Sequence, residues 1–334
     1  MRRIPLFLVV LVIGSLVMLT AACSGSTPAG QPAAAPASSA PPDAPATQPP
    51  AVPVAAVAYA PAPEAKAVPV RQPATVSVTK GTLTEVGLKN AKGEAVEGKF
   101  TADRTSWSTT EPLGYGGSYT WTGTATGTDG LPLPLAGSFS TVKPKKVVRG
   151  TINIPDDRTV GVAAPIRIQF NSHVSDKAAV EKALSVTTST PVTGSWAWLP
   201  DDNGGSRVSY RTKDYWPAGT EVTVQADLYG LDYGDDRYGA SKISSSFTIG
   251  RSQLVKADAT SHHVLIIRDG QQIADYPASY GLDTDPDRNT RSGIHVVTEK
   301  FTDKRMVSEK YGYDLVEKWA VRISNNGEFL HANP

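Results

Sequence analysis

The sequence predicts a mostly β protein with two successive small β-sandwich modules and a further β-rich segment. Three observations carry this prediction. Short stretches alternate apolar and polar residues with period two, as a half-buried strand requires. Gly, Asp and Thr turn signals separate those stretches at regular spacing. The pattern also occurs twice, with matching starts at Gly81-Thr82-Leu83-Thr84 and Gly150-Thr151-Ile152-Asn153, and matching ends at Ser138-Phe139-Ser140-Thr141 and Ser246-Phe247-Thr248-Ile249.

The first module is expected over residues 74–143. Thr75-Val76-Ser77-Val78 reads as a strand, Ser118 to Ala125 as a second, and Thr128-Asp129-Gly130 as a turn. The second is expected over 144–250. Ile166, Ile168 and Phe170 share one strand face, with Arg167 and Gln169 on the other. Trp196 and Trp198 share a face of another strand, and Glu221 to Ala226 alternates again. One short helix is expected, capped by Ser175, with Ala179, Val180, Ala183 and Leu184 as its apolar stripe. Repeated short strands with regular turns predict immunoglobulin-like sandwiches without the inter-sheet disulfide. Trp121, Trp196 and Trp198 are read as core rather than as a ligand platform.

The chain has 33 Lys and Arg against 32 Asp and Glu, so its net charge of +1 gives no reason to expect a nucleic-acid partner. Its one cysteine is Cys23. Arg2 and Arg3 precede an apolar run from Ile4 to Leu19, and Ala21-Ala22 lead into the cysteine. This is a secretory signal over residues 1–22 with cysteine placement for lipidation, the alternative being an ordinary signal with a chance cysteine. The run is shorter than the ~20 residues a bilayer-spanning helix needs. A lipidated Cys23 leaves no thiol for a disulfide. The expected location is therefore the outer face of the plasma membrane. Residues 23–73, rich in Ala and Pro, read as an extended disordered tether. At ~3.1 Å per residue its reach is on the order of 100 Å.

The loop from Tyr229 to Asp236 carries Asp232, Asp235 and Asp236 within five residues. Hard cations take several carboxylate and carbonyl oxygens. On spacing alone, a solvated acidic turn is the preferred reading.

The last segment, 251–334, opens with a predicted hairpin: His263 to Arg268, the turn Asp269-Gly270, and Gln271 to Pro277. Ala278-Ser279-Tyr280-Gly281 follows, then Thr290-Arg291-Ser292-Gly293-Ile294 as a strand start, and Gly327-Glu328-Phe329-Leu330-His331 as a final strand. These motifs resemble the L,D-transpeptidase catalytic domain, and Trp319 to Pro334 is the most specific part of the match. The order of signal, tether, two modules and catalytic domain is similarly that of mycobacterial and related actinobacterial lipoprotein L,D-transpeptidases.

The resemblance implies peptidoglycan remodelling. A cysteine thiolate would attack a tetrapeptide stem, release D-Ala and pass the acyl group to a neighbouring stem in a 3→3 cross-link. His331 would be the proton-transfer histidine. Tyr313 matches a lid tyrosine by position, and Asn326 and Gly327 match a strand region that contacts the stem. Asp232, Asp235 and Asp236 fall where some members hold Ca²⁺, which the resemblance makes a candidate structural ion; no cofactor is required. Arg291 departs from the Pro or small residue usual in the family. The family's Ser/His-Gly-Cys motif is not among the 334 residues. The expectation is therefore an incomplete catalytic domain that is inactive as it stands, with carbapenem binding only if that motif is restored. A truncated sheet exposes an edge, so residues from Gln253 onward are expected to be poorly ordered or aggregation-prone. A non-catalytic wall-binding or spacer lipoprotein is the alternative function, and an immunoglobulin-like adhesin a third. His173, His262, His263 and His295 are read as structural.

Overall fold

The computed structural model describes residues 52–282 and 284–332. The signal segment, Cys23 and the first part of the expected tether lie outside the described residues, as do Asn333 and Pro334. Among the described residues no helix is long and apolar enough to cross a membrane.

The first sandwich contains β1 (Ala56–Ala60), β2 (Thr75–Thr79), β3 (Gly81–Asn90), β4 (Gly98–Phe100), β5 (Ser106–Thr109), β6 (Ser118–Gly127), β7 (Pro132–Pro134) and β8 (Ser138–Ser140). One sheet runs β1-β2-β5-β4; in the other, β6 pairs β3 on one side and β7 and β8 in succession. Alternation along β2 and β6 sends Val76, Val78, Tyr119 and Trp121 between the sheets. There Trp121 meets Trp107 edge-on at 5.7 Å and Phe139 at 6.4 Å. Trp121 is thus core, as its strand face predicts.

The expected tether boundary at residue 73 is too late. Residues 56–60 pair with β2, Ala60 opposite Thr75. Tyr59 lies 5.7 Å from the Trp121 ring, and its hydroxyl accepts the Ala136 N–H at 3.1 Å. Val68 and Val70 are buried, and the Val68 N–H donates to the Ser140 carbonyl at 3.0 Å. Proline removes ladder donors only where it stands, and an edge strand tolerates it at its ends. The prolines at 53, 61, 63 and 69 flank the paired residues. The Ala-Val-Ala-Tyr alternation of β1 is masked by that composition.

The second sandwich contains β9 (Lys146–Val148), β10 (Gly150–Ile152), β11 (Thr159–Val160), β12 (Ile166–Phe170), α1 (Lys177–Lys182), β13 (Leu184–Thr188), β14 (Gly194–Asp202), β15 (Gly205–Thr212), β16 (Glu221–Ala226), β17 (Arg237–Gly239) and β18 (Ile243–Ile249). Its sheets run β10-β12-β15-β14 and β11-β18-β16-β13, and β9 and β17 form a separate parallel pair. Ile166, Ile168 and Phe170 face inward as their spacing predicts. Trp196 and Trp198 pack, half-buried, against two core clusters. The helix differs from expectation at its cap. Asp176, not Ser175, accepts the Ala179 N–H, at 3.0 Å. Only Val180 of α1 is buried, and Leu184 already belongs to β13. Six residues give little room for a stripe; the one inward position decides the helix's orientation.

The two sandwiches touch through tyrosines and one arginine. The Tyr115 hydroxyl donates to the Gly239 carbonyl at 2.7 Å and accepts the Gly230 N–H at 2.9 Å. Its ring lies 5.0 Å from that of Tyr229, whose hydroxyl donates to the Leu113 carbonyl at 2.6 Å. Burial pushes the Tyr115 hydroxyl up to about 12. Arg71 pairs with Asp227 at 2.6 Å and donates to the Asp227 carbonyl at 2.9 Å.

The last segment forms β19 (Gln253–Asp258), β20 (His263–Arg268), β21 (Gln271–Pro277), β22 (Glu299–Lys300), β23 (Asp303–Ser308), β24 (Tyr313–Lys318), β25 (Val321–Arg322) and β26 (Phe329–Leu330). They make a β19-β20-β21 sheet, a β22-β25-β26 sheet and a β23–β24 hairpin. The Asp269-Gly270 turn has φ of 48° and 84°, the left-handed pair that a two-residue hairpin requires. Thr290 to Val297 is irregular rather than a strand start. The segment is thus built of paired strands, yet Ala320 is its only buried residue among those described. Trp319, Ile294 and Tyr276 stand more than half exposed. Its hydrogen bonds are largely local, while its apolar faces are covered only in part.

Candidate active site

His331 lies just past β26, where three local features converge. The Ala332 N–H donates to the Lys318 carbonyl at 3.0 Å, tying the exit of β26 to the end of β24. Trp319, with φ of 55°, turns the chain between β24 and β25, and its N–H donates to the Thr302 carbonyl at 2.9 Å. Ala320 is buried beneath, and the Phe301 N–H donates to its carbonyl at 2.8 Å. These bonds set His331 beside Glu317.

Glu317 Oε2 lies 3.1 Å from His331 Nδ1, and the Ala332 carbonyl accepts from the same nitrogen at 2.9 Å. Both neighbours are acceptors, so the neutral ring suits them as the Nδ1–H tautomer, which leaves the lone pair on Nε2. Such a ring can take a proton at Nε2 and return it. Glu317 has no motif around it; its one sequence signal is a place two residues before Trp319 on the strand leading to the site.

Asn326 and Gly327 sit at the tip of the β25–β26 hairpin. The Ile323 N–H donates to the Glu328 carbonyl at 3.0 Å, the Asn326 N–H donates to Ser324 Oγ at 3.2 Å, and Gly327 has φ of 92°. A side chain at that φ is strained, so the turn accounts for the glycine. Tyr313 opens β24, four residues before Glu317, about 13 Å of strand away. Its side chain is 42% exposed. The structure thus places Tyr313, the hairpin tip and His331 on connected strands, and brings only Glu317 to the histidine.

Aromatic and cationic side chains stack beside the site. Arg322 lies 4.6 Å from the Phe329 ring centroid and pairs with Glu299. Lys304 lies 4.6 Å from the Phe301 ring. Lys318 pairs with Asp303, and that bond holds the Asp303 carboxyl below its usual range.

The acidic loop does not gather its carboxylates. Asp232 Oδ1 accepts the Gly234 N–H at 2.8 Å, Asp235 pairs with Arg237 at 2.7 Å, and Asp236 offers its carbonyl to the Lys145 N–H at 2.9 Å. Among the described residues no group of three metal-ligating side chains is present. Asp232 and Asp235 thus take separate partners, a backbone N–H and a guanidinium. The loop instead folds over Tyr233, which is fully buried against Phe170 at 5.8 Å.

A second constellation has the residue types of a hydrolytic triad but not its connectivity. His173 Nδ1 lies 2.7 Å from Asp201 Oδ2 and 3.4 Å from Ser206 Oγ, and Ser206 donates to Asp201 Oδ1 at 2.9 Å. A nucleophile and an orienting carboxylate must use opposite ring nitrogens. Here both use Nδ1, and Ser206 also accepts the Val174 N–H at 3.0 Å, so the group is a structural clip. Chiefly the His173 contact holds the Asp201 carboxyl below its usual value. Its folded value is depressed, so its stabilisation is present above about pH 4, the unfolded value, and is lost as pH falls through the lower folded value. Solvent exposure makes the effect small. Asp201→Asn is expected to reduce the acid-side fall in melting temperature, measured from pH 6 to 3; an unchanged fall removes the clip's electrostatic role.

Comparison with known proteins decides the family. Residues 65–232, half of the chain, match the bacterial Ig domain, and residues 252–334 match the L,D-transpeptidase catalytic domain. The chain belongs to the L,D-transpeptidase family. It is 51% identical over 284 residues to L,D-transpeptidase 5 of Mycobacterium tuberculosis, covering 84% of this chain and 63% of that protein. It is 32% identical over 275 residues to L,D-transpeptidase 2 of the same organism, covering 80% and 65%. It thus spans just under two thirds of the length of these relatives. A solved L,D-transpeptidase in complex with imipenem shares 25% identity at a TM-score of 0.46, covering 57% of this chain and 82% of that one. The Ig-domain match begins inside the expected tether, in keeping with the ordered residues before 73. In this L,D-transpeptidase-family chain, His331 lies within the catalytic-domain match.

Proposed function

We propose that residues 251–334 supply the histidine side of a site that forms 3→3 peptidoglycan cross-links, carried on two immunoglobulin-like modules that a lipid on Cys23 holds outside the plasma membrane. The observation that carries this reading is His331, with Nδ1 against two acceptors, which leaves Nε2 to exchange a proton. In the reaction a thiolate adds to the carbonyl between the third stem residue and the terminal D-Ala. A C–S bond forms, the C–N bond breaks, and the D-Ala amine leaves with a proton from the imidazole. A diaminopimelate amine on a neighbouring stem then displaces the thiolate and returns a proton to the ring. No metal or redox cofactor enters these steps.

Residues 24–334 contain no thiol, and Cys23 is assigned to the lipid. A polypeptide of residues 52–334 is therefore expected to give no covalent carbapenem adduct by intact-mass spectrometry. A stoichiometric adduct would overturn the assignment of a thiol outside these residues as nucleophile.

A second reading, a wall-binding or spacing role, draws support from the two braced sandwiches, whose contacts through Tyr115 and Arg71 need no catalysis. Co-sedimentation of the same polypeptide with purified sacculi separates the readings: saturable binding favours the spacer, and its absence removes it.

A further inference from the structure

We propose that Glu317 is a positioning residue for His331, holding the neutral imidazole as the Nδ1–H tautomer so that Nε2 faces the reacting groups. This inference rests on the reading of His331 as the proton-transfer group. Three observations carry it. The Glu317 carboxylate lies 3.1 Å from Nδ1. Its side chain is only 19% exposed, against 35% for His331, so solvent screens the contact less than at an open surface. Glu317 lies on β24 and His331 just past β26, and backbone bonds bring the two segments together. Lys304 stands opposite Glu317 in the β23–β24 register, and the Ala332 N–H bonds the Lys318 carbonyl one residue beyond it.

Several other charges on the surrounding strands have partners of their own. Lys318 pairs with Asp303, Arg322 pairs with Glu299 and lies over Phe329, and Lys304 lies over Phe301. Glu317 has its ion pair with the His331 ring, although Lys304 stands opposite it in the strand register. A carboxylate beside Nδ1 stabilises a proton there and also stabilises the imidazolium that forms when Nε2 accepts a second one. The Ala332 carbonyl assists, but it carries no net charge. A charge-assisted contact is roughly twice as strong as a neutral one.

The test uses ¹⁵N-histidine-labelled polypeptide of residues 52–334, with the ring nitrogens of His331 observed by two-bond ¹H–¹⁵N correlation above the imidazole titration. The wild type is expected to show His331 mainly as Nδ1–H. Glu317→Gln, which keeps the shape and removes the charge, is expected to move the tautomer ratio toward Nε2–H by about threefold, and Glu317→Asp to restore it in part. A wild-type ring that is mainly Nε2–H overturns the proposal, and so does an unchanged ratio in folded Glu317→Gln. The wild-type measurement stands even if a variant fails to fold. The readout needs no turnover, so a failure of the transpeptidase reading and a failure of the positioning role give separate results.

Discussion

A polypeptide that starts at Ala74 is expected to lose its first sandwich, whereas one that starts at Val52 keeps it. Residues 52–73 look dispensable by composition, and cutting there is the natural choice for a folded fragment. The cut removes the whole of β1, opening the β2 edge. It takes away Val68 and Val70, at 5% and 0% exposure, and the Tyr59 ring from Trp121. Burial of a valine contributes about 1.5–3 kcal/mol, and an aromatic pair about 0.5–1.5 kcal/mol more. Against a domain stability of about 5–15 kcal/mol, these losses together with five ladder positions leave little or nothing. The Arg71–Asp227 pair between the sandwiches goes too. The second sandwich has two core clusters of its own and is expected to melt as a separate unit. Calorimetry with tryptophan fluorescence checks this. An unchanged transition for the first sandwich in the shorter polypeptide would remove β1 from the folding unit.

Gly239→Ala should be among the most damaging single substitutions outside the hydrophobic clusters. A Cβ there would stand 1.8 Å from the Leu228 carbonyl oxygen and 2.8 Å from the Tyr233 hydroxyl. Backbone must move to admit it, and three contacts would be disturbed. The Gly239 N–H donates to the Leu231 carbonyl at 2.9 Å, the Gly239 carbonyl accepts from Tyr115, and β17 pairs with β9 through residues 237–239. Overpacking with the loss of buried hydrogen bonds costs on the order of 3 kcal/mol. Gly161→Ala has open space and ordinary φ, and should stay within about 0.5 kcal/mol of wild type. Equal denaturation midpoints for the two variants would sink the claim. The substitution also tests the acidic loop, because Asp232, Asp235 and Asp236 lie just before β17, which pairs with β9. Destabilisation that is the same with Ca²⁺ or chelator present is the expected result.

The inward faces of β2, β6, β12 and β16 were legible because period-two alternation and burial have the same cause: one face of each strand meets the opposite sheet. The hairpin at Asp269-Gly270 was legible because its φ values suit only a few residue types. The β1 strand was not. Its alternation uses alanine, and the prolines around it carry the statistical weight. The cap of α1 was missed by one residue, since Ser175 and Asp176 are both competent, and it is Asp176 that accepts the Ala179 N–H while the Ser175 N–H bonds the Tyr233 carbonyl at 3.0 Å. The partners of Asp232 and Asp235 were not legible, because proximity in sequence does not fix which group each carboxylate meets.

His331, Asn326 and Gly327 could be singled out from the final-strand motif, and Tyr313 by position. Glu317 could not, because strand pairing and the Trp319 turn, not sequence distance, bring a residue fourteen positions earlier to the imidazole. By itself the sequence determined the mostly β fold, the two sandwich modules and the family, for these rest on local periodicity and short motifs. Only the tertiary structure decided where the first module begins, which carboxylate meets His331 and what the acidic loop contacts. Those depend on non-local pairing, in which each side chain's partner is set by the register of strands far apart in the chain.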